Sequence, residues 1–180
     1  MTYRQLLKAL RPDNGDTFNL ESFEHYYERI GHLLPNWPEC SMREWLHRHY
    51  SDAVNDYSWL RFDTLSFERV TWATDFIYQN VQTYKMKMLE NQGQQILTGR
   101  PRMRTHLQKM MLATGTWPAP IIVLENSSGM AGPNGETLGA PYHLVEGHLR
   151  TDYFRNLYRE MPEALKGQHD IWLVRMGAKV

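Results

Sequence analysis

Cysteine is almost missing from this sequence: of 180 residues only Cys40 carries a thiol. One thiol can form neither an internal disulfide nor a cysteine-based zinc site, which fits a reducing compartment. An excess of charge is missing as well, since 20 lysines and arginines stand against 20 aspartates and glutamates. Whole-molecule attraction to nucleic acid or to an anionic membrane is therefore not expected, and any such binding needs a local patch. No apolar run approaches the roughly 20 residues that span a bilayer. The opening MTYRQLLKALRPDNGD lacks the apolar stretch of a signal peptide. These absences predict a cytoplasmic protein with no membrane partner. There is also no internal repeat, Walker-type loop, dinucleotide fingerprint or serine in a nucleophile elbow.

Bulk is plentiful. The chain has 6 tryptophans, 10 tyrosines and 10 methionines. Such side chains mostly fill cores, with an exposed partner-binding face as the alternative use. The length allows one medium domain or two small ones.

Residues 20–113 read as mainly helical. NLESFEHYYERIGHLL sets Leu20, Phe23, Tyr27, Ile30 and Leu34 at helical spacing, with Asn19 as a candidate cap. Ser41 and Glu44 form a capping-box pattern ahead of WLHRHY. Phe67, Val70, Thr74, Ile77, Val81, Tyr84 and Met88 recur every three or four residues, which predicts one long helix. RMRTHLQKMMLATG then reads as a short helix ending at Gly115. Beyond Trp117 the texture changes to strand (APIIVLEN), glycine-rich loop (SSGMAGPNGETLGA), strand (PYHLVEG), helix (RTDYFRNLYREM) and strand (HDIWLVRM). The expected fold is α+β: a mainly helical region over residues 1–115 packed on a small α/β unit over residues 116–180, as one body.

The junction Glu146-Gly147-His148-Leu149-Arg150, where a strand hands over to a helix, carries the most chemistry. A glycine there permits backbone conformations closed to other residues and lets a ligand come close. The first helical turn offers free N–H groups at the positive end of the dipole, an arrangement suited to phosphate. Arg150 sits in that turn and can add a bidentate contact, and His148 can donate to phosphate or carry a proton. Glu146 can hold magnesium or act as a base. The plainer reading is a tight turn with a local Glu146–Arg150 ion pair.

YHLVEGHLRTDYFRNL followed by HDIWLVRM resembles the central signature of the ParB/sulfiredoxin-like superfamily, with PIIVLEN in the place of its early strand. The resemblance covers roughly residues 118–176. It implies a ParB/sulfiredoxin-like α/β unit that holds nucleotide phosphates at a helix start, with Gly147, His148, Arg150 and Thr151 as phosphate-binding residues and Glu146 beside them. Members bind and hydrolyse CTP, use ATP, phosphorylate serine, or act as nucleases. The implied cofactors are thus Mg2+ and a nucleoside triphosphate, ATP or CTP, with Glu146 and His148 as catalytic residues. Where sulfiredoxins have their reactive cysteine this chain has His148, which excludes sulfinic-acid reduction by that chemistry. Partition proteins have two adjacent arginines where Leu149 and Arg150 stand.

Three further features enter the reading. If the two strands pair, Glu125 falls beside Glu146 and the two carboxylates hold a magnesium ion. Residues 85–109 carry Lys85, Lys87, Arg100, Arg102, Arg104 and Lys109 against Glu90, a basic patch able to track DNA or to add cations to a nucleotide; a solvated face is the plain alternative. GPNGETLG is a hairpin tip or a lid over the site. The expectation is a nucleotide-binding protein with hydrolase, phosphotransferase or nuclease activity. The alternative is a non-enzymatic interaction or inhibitory protein that keeps the fold and docks a protein partner.

Overall fold

A computed structural model describes residues 1–14, 19–83 and 93–177. The chain divides into two units, Met1–Phe67 with the C-terminal segment from Val174, and Glu68–Leu173. The expected boundary at residue 115 is thus not where the chain divides, and residues 68–115 belong with the strands that follow them.

The first unit is helical around aromatic side chains. Helix α1 (Tyr3–Ala9) opens on a capping box of Thr2 and Gln5. Helix α2 (Phe23–Ile30) is capped by Ser22, not Asn19, and it buries Phe23, Tyr26 and Ile30. Tyr27, expected on the apolar stripe, is 36% exposed. Helix α3 (Glu39–Ser41) runs straight into a π-helical turn, Met42–His47. Ser41 therefore lies inside helical structure and caps nothing, so the expected capping box does not form. The π turn buries Met42, Trp45, Leu46 and His47. Helix α4 (Tyr50–Tyr57) follows. Trp37 stacks on Trp45 at 5.2 Å, Phe62 meets both, and Tyr57 closes edge-on against Trp45. All six tryptophans of the chain are buried or half-buried, so the bulk seen in the sequence goes mainly to cores.

The second unit holds most of a five-stranded mixed sheet of order β1-β5-β3-β4-β2. Its strands are β1 (Ser66–Ala73), β2 (Val81–Gln82), β3 (Ile121–Glu125), β4 (Tyr142–Glu146) and β5 (Gln168–Arg175). Strands β3 and β4 pair antiparallel, and β2 lies parallel to β4. Helices α5 (Thr74–Asn80), α6 (Gln95–Thr98), α7 (His106–Thr114) and α8 (His148–Glu160) belong to this unit. Ile77, Met111, Trp117, Ile121, Val123, Leu144, Tyr153, Phe154, Leu157 and Ile171 pack into its core. The order of β3, loop, β4, α8 and β5 is the one expected, and α7 ends at Gly115 with φ +67°. The long helix expected from Phe67 to Met88 is instead strand β1, helix α5 and strand β2 up to Gln82, with Tyr84 and Met88 outside the described residues. SFERVTWA is rich in β-branched and aromatic residues, and the edge position beside β5 outweighs its helical spacing.

The loop between β3 and β4 is pinned by one side chain. Asn126, 2% exposed, donates to the carbonyls of Met130 and Gly139 and accepts from the Met130 amide at 2.7 Å.

Candidate functional site

Strand β4 ends at Glu146, and Gly147 turns the chain into α8 with φ +96°, a left-handed conformation natural only to glycine. A Cβ at Gly147 would come within 2.6 Å of Ile121 Cγ2. Glycine is thus required first by packing of this turn on β3. The N-cap residue of α8, a helix of 13 residues, is thus a glycine, with no side chain of its own to cap the first turn.

The inward face of α8 differs from expectation. Leu149, Tyr153, Leu157 and Met161 were the anticipated apolar stripe, but Leu149 and Met161 are 40% and 38% exposed. The buried stripe is Arg150, Tyr153, Phe154 and Leu157, spaced by three, four and seven from its first member, so Arg150 heads it. A guanidinium in that place needs an acceptor. Glu146 supplies it, accepting from Arg150 Nη2 four residues on, and both side chains are largely out of solvent. The structure therefore contains the local ion pair that the sequence offered as the plainer reading. Thr151, 3% exposed, makes the first backbone bond of the helix, its amide donating to the Gly147 carbonyl at 2.8 Å. His148 is half-buried at the first helical position. Gly147, His148, Arg150 and Thr151 are thus gathered in one turn, with Glu146 at its foot.

Glu125 does not join them. In the β3–β4 register Glu125 faces Tyr142, whereas Glu146 faces Ile122. Tyr142 and Glu146 are the two ends of β4, four residue steps apart, about 13 Å at the usual rise. Carboxylates so far apart cannot share one ion held at about 2.1 Å, and the expected magnesium pair is corrected accordingly. Among the described residues no group of three or more histidine, cysteine or acidic side chains is placed to hold a metal. The same register corrects the lid: residues 127–141 leave from the Glu125 end of the strand pair, the far end from Gly147. The loop is a hairpin tip, with Ala131 bridged to Thr137.

In the basic segment, Lys85, Lys87 and Glu90 lie outside the described residues. Arg100 and Arg102 are exposed and Arg104 half-buried around a 3-10 turn, Pro101–Met103. Arg102 lies within that turn, and Arg100 and Arg104 flank it. Lys109 is exposed on α7.

Two cavities lie elsewhere in the second unit. One of about 570 Å³ is lined by Gln94, Leu97, Thr98, Asn156, Arg159 and Glu160, at the far end of α8 from Gly147. The other, about 290 Å³, opens beside Thr116, Lys166 and His169. Sequence reasoning missed both. Thr116 and Lys166 carry no motif, and His169 sits in a run read only as a strand.

No family model, curated protein or solved structure matches the chain. No described helix is long and apolar enough to cross a membrane.

Proposed function

We propose that the start of α8 binds the phosphate groups of a nucleoside triphosphate, ATP or CTP, as the likeness to ParB/sulfiredoxin-like proteins implies. The observation that carries this reading is a 13-residue helix entered through a left-handed glycine, with a guanidinium held in its first turn. Such a terminus offers N–H donors and the positive end of a dipole to phosphate oxygens. Arg150 adds charge, Thr151 and His148 lie in the same turn, and Glu146 acts as the carboxylate that orients the guanidinium. Because Glu146 is engaged with Arg150 and Glu125 stands at the other end of the strand pair, the proposal is one of binding.

Thermal denaturation with ATP, CTP or GTP, each with and without magnesium, tests it. A ligand of the folded state raises the melting temperature by mass action, about 2.7 kcal/mol of added stability at 100 times its Kd. The expected outcome is a shift with at least one triphosphate that disappears in Arg150→Ala. A shift that Arg150→Ala leaves intact, or none with any nucleotide, transfers the reading to a non-enzymatic interaction protein. The feature favouring that second reading is an aromatic group at the surface, Phe76 at 39% exposure meeting Trp72 and Tyr142 at 5.0 and 5.8 Å.

A further inference from the structure

Outside the Gly147 junction, the second unit builds another cluster of reactive side chains around His169 on β5. The ring is 2% exposed and packs against Trp117 at 4.8 Å and Phe154 at 5.2 Å. Each ring nitrogen meets a threonine hydroxyl: Nε2 lies 3.2 Å from Thr74 Oγ1 and Nδ1 lies 2.8 Å from Thr116 Oγ1. The direction of this chain follows from its far end. Thr74 Oγ1 donates to the Lys166 carbonyl, which can only accept. The Thr74 oxygen then accepts from Nε2–H, which leaves Nδ1 of the neutral ring as an acceptor, and Thr116 donates to it. Burial holds the imidazole well below its usual value, at about 4, so the neutral form prevails at ordinary pH.

The result is a hydroxyl aimed at an imidazole nitrogen, with the imidazole fixed by a third group, the order of parts found in activated nucleophiles. Thr116 is half-buried and lines the cleft of about 290 Å³ with Arg69, Thr71, Lys166 and Asp170. Arg69 is paired with Asp170. Lys166 has no carboxylate partner among the described residues and is the cation left to face developing negative charge in the cleft.

The geometry points to Thr116 as a hydroxyl nucleophile, with His169 as its base, that accepts the acyl group of a small ester. A bond forms between Thr116 Oγ and the acyl carbon, and the carbon–oxygen bond to the leaving group breaks. The Thr116 proton passes to His169 Nδ1 and from there to the departing alkoxide. The Lys166 ammonium faces the oxyanion formed on the way. An imidazole of such low basicity takes the proton slowly and activates water against the acyl-threonine more slowly still, so the reaction ends as stoichiometric labelling of Thr116.

The full chain treated with 4-nitrophenyl acetate, followed by peptide mapping, tests this. One acetyl group on Thr116 is expected, retained at that position in Thr116→Ser and absent from Thr116→Val. His169→Asn lowers the labelling rate by about 100-fold, the usual weight of a general base, and Lys166→Met lowers it less. Should His169→Asn fail to fold, the Lys166→Met rate and a urea-unfolded control decide. Acetylation confined to lysines, equal labelling of Thr116 in the unfolded chain, or rates unmoved in both variants would overturn the assignment.

Discussion

Buried polar groups end differently in the two units. In the first they finish on backbone carbonyls: Tyr26 donates to Leu10, Trp37 Nε1 to Phe62, and the His47 ring meets the Glu21 carbonyl. A carbonyl is a fixed, uncharged acceptor, so each such bond satisfies a polar atom without creating a dependence between side chains. In the second unit some buried polar side chains, Asn126 among them, also end on backbone, but several meet one another. Arg150 pairs with Glu146, His169 lies between two threonines, Gln108 donates to Tyr153, and Asn156 donates to Asp152. Such networks fail together when one member is removed, and they hold ionisable groups in defined states. A unit built the first way is a scaffold. One built the second way has the makings of a site.

Three measurements test this difference between the units. The largest effect belongs to the aromatic core. Trp45 is 2% exposed and touches Trp37, Tyr57 and Phe62. Trp45→Ala should therefore cost about 3–5 kcal/mol in urea denaturation, through lost burial and a cavity. A cost under about 1 kcal/mol would mean the first unit adds little to the measured transition.

Next comes the Arg150–Glu146 pair. Arg150→Ala leaves the Glu146 carboxylate largely out of solvent without its guanidinium, a loss of about 2 kcal/mol. Adding Glu146→Gln should recover part of it, since the amide carries no charge to desolvate. A double-mutant cycle that closes with no coupling would show that the two side chains do not depend on each other.

The smallest effect is in pH. Unfolded, His169 titrates near 6.5; folded, burial holds it at about 4. Across that interval the unfolded chain binds the extra proton, so the contribution to stability is complete above pH 6.5 and drains away as pH falls towards 4. His169→Gln should flatten the fall in denaturation midpoint over this range relative to the parent chain. Parallel profiles in the two proteins would place the acid sensitivity elsewhere.

Much of the second unit was legible because its signals are local. Pro120 and Asn126 bracket a β-branched run, and Gly147 separates β4 from α8 as a glycine between strand and helix patterns should. Strand β1 was not legible. Phe67, Val70, Thr74 and Ile77 satisfy helical spacing, and the partner that makes β1 a strand, β5, lies about a hundred residues further on, as the Thr71–Asp170 hydrogen bond records. At the junction, sequence brought the right residues together, but it could not say which face of α8 turns inward. A rotation of one residue put Arg150 rather than Leu149 at the head of the buried stripe and so made the ion pair with Glu146. Glu125 was misjudged for a related reason: pairing was anticipated, register was not, and register is fixed by packing across the whole strand.

Asn126 has a practical consequence. Since its single amide ties both Met130 and Gly139, the chain between those two residues begins and ends at clamped points. Pro133, Asn134 and Gly135, all exposed at its apex, form a natural insertion point for a reporter or affinity tag that leaves the strands on either side undisturbed.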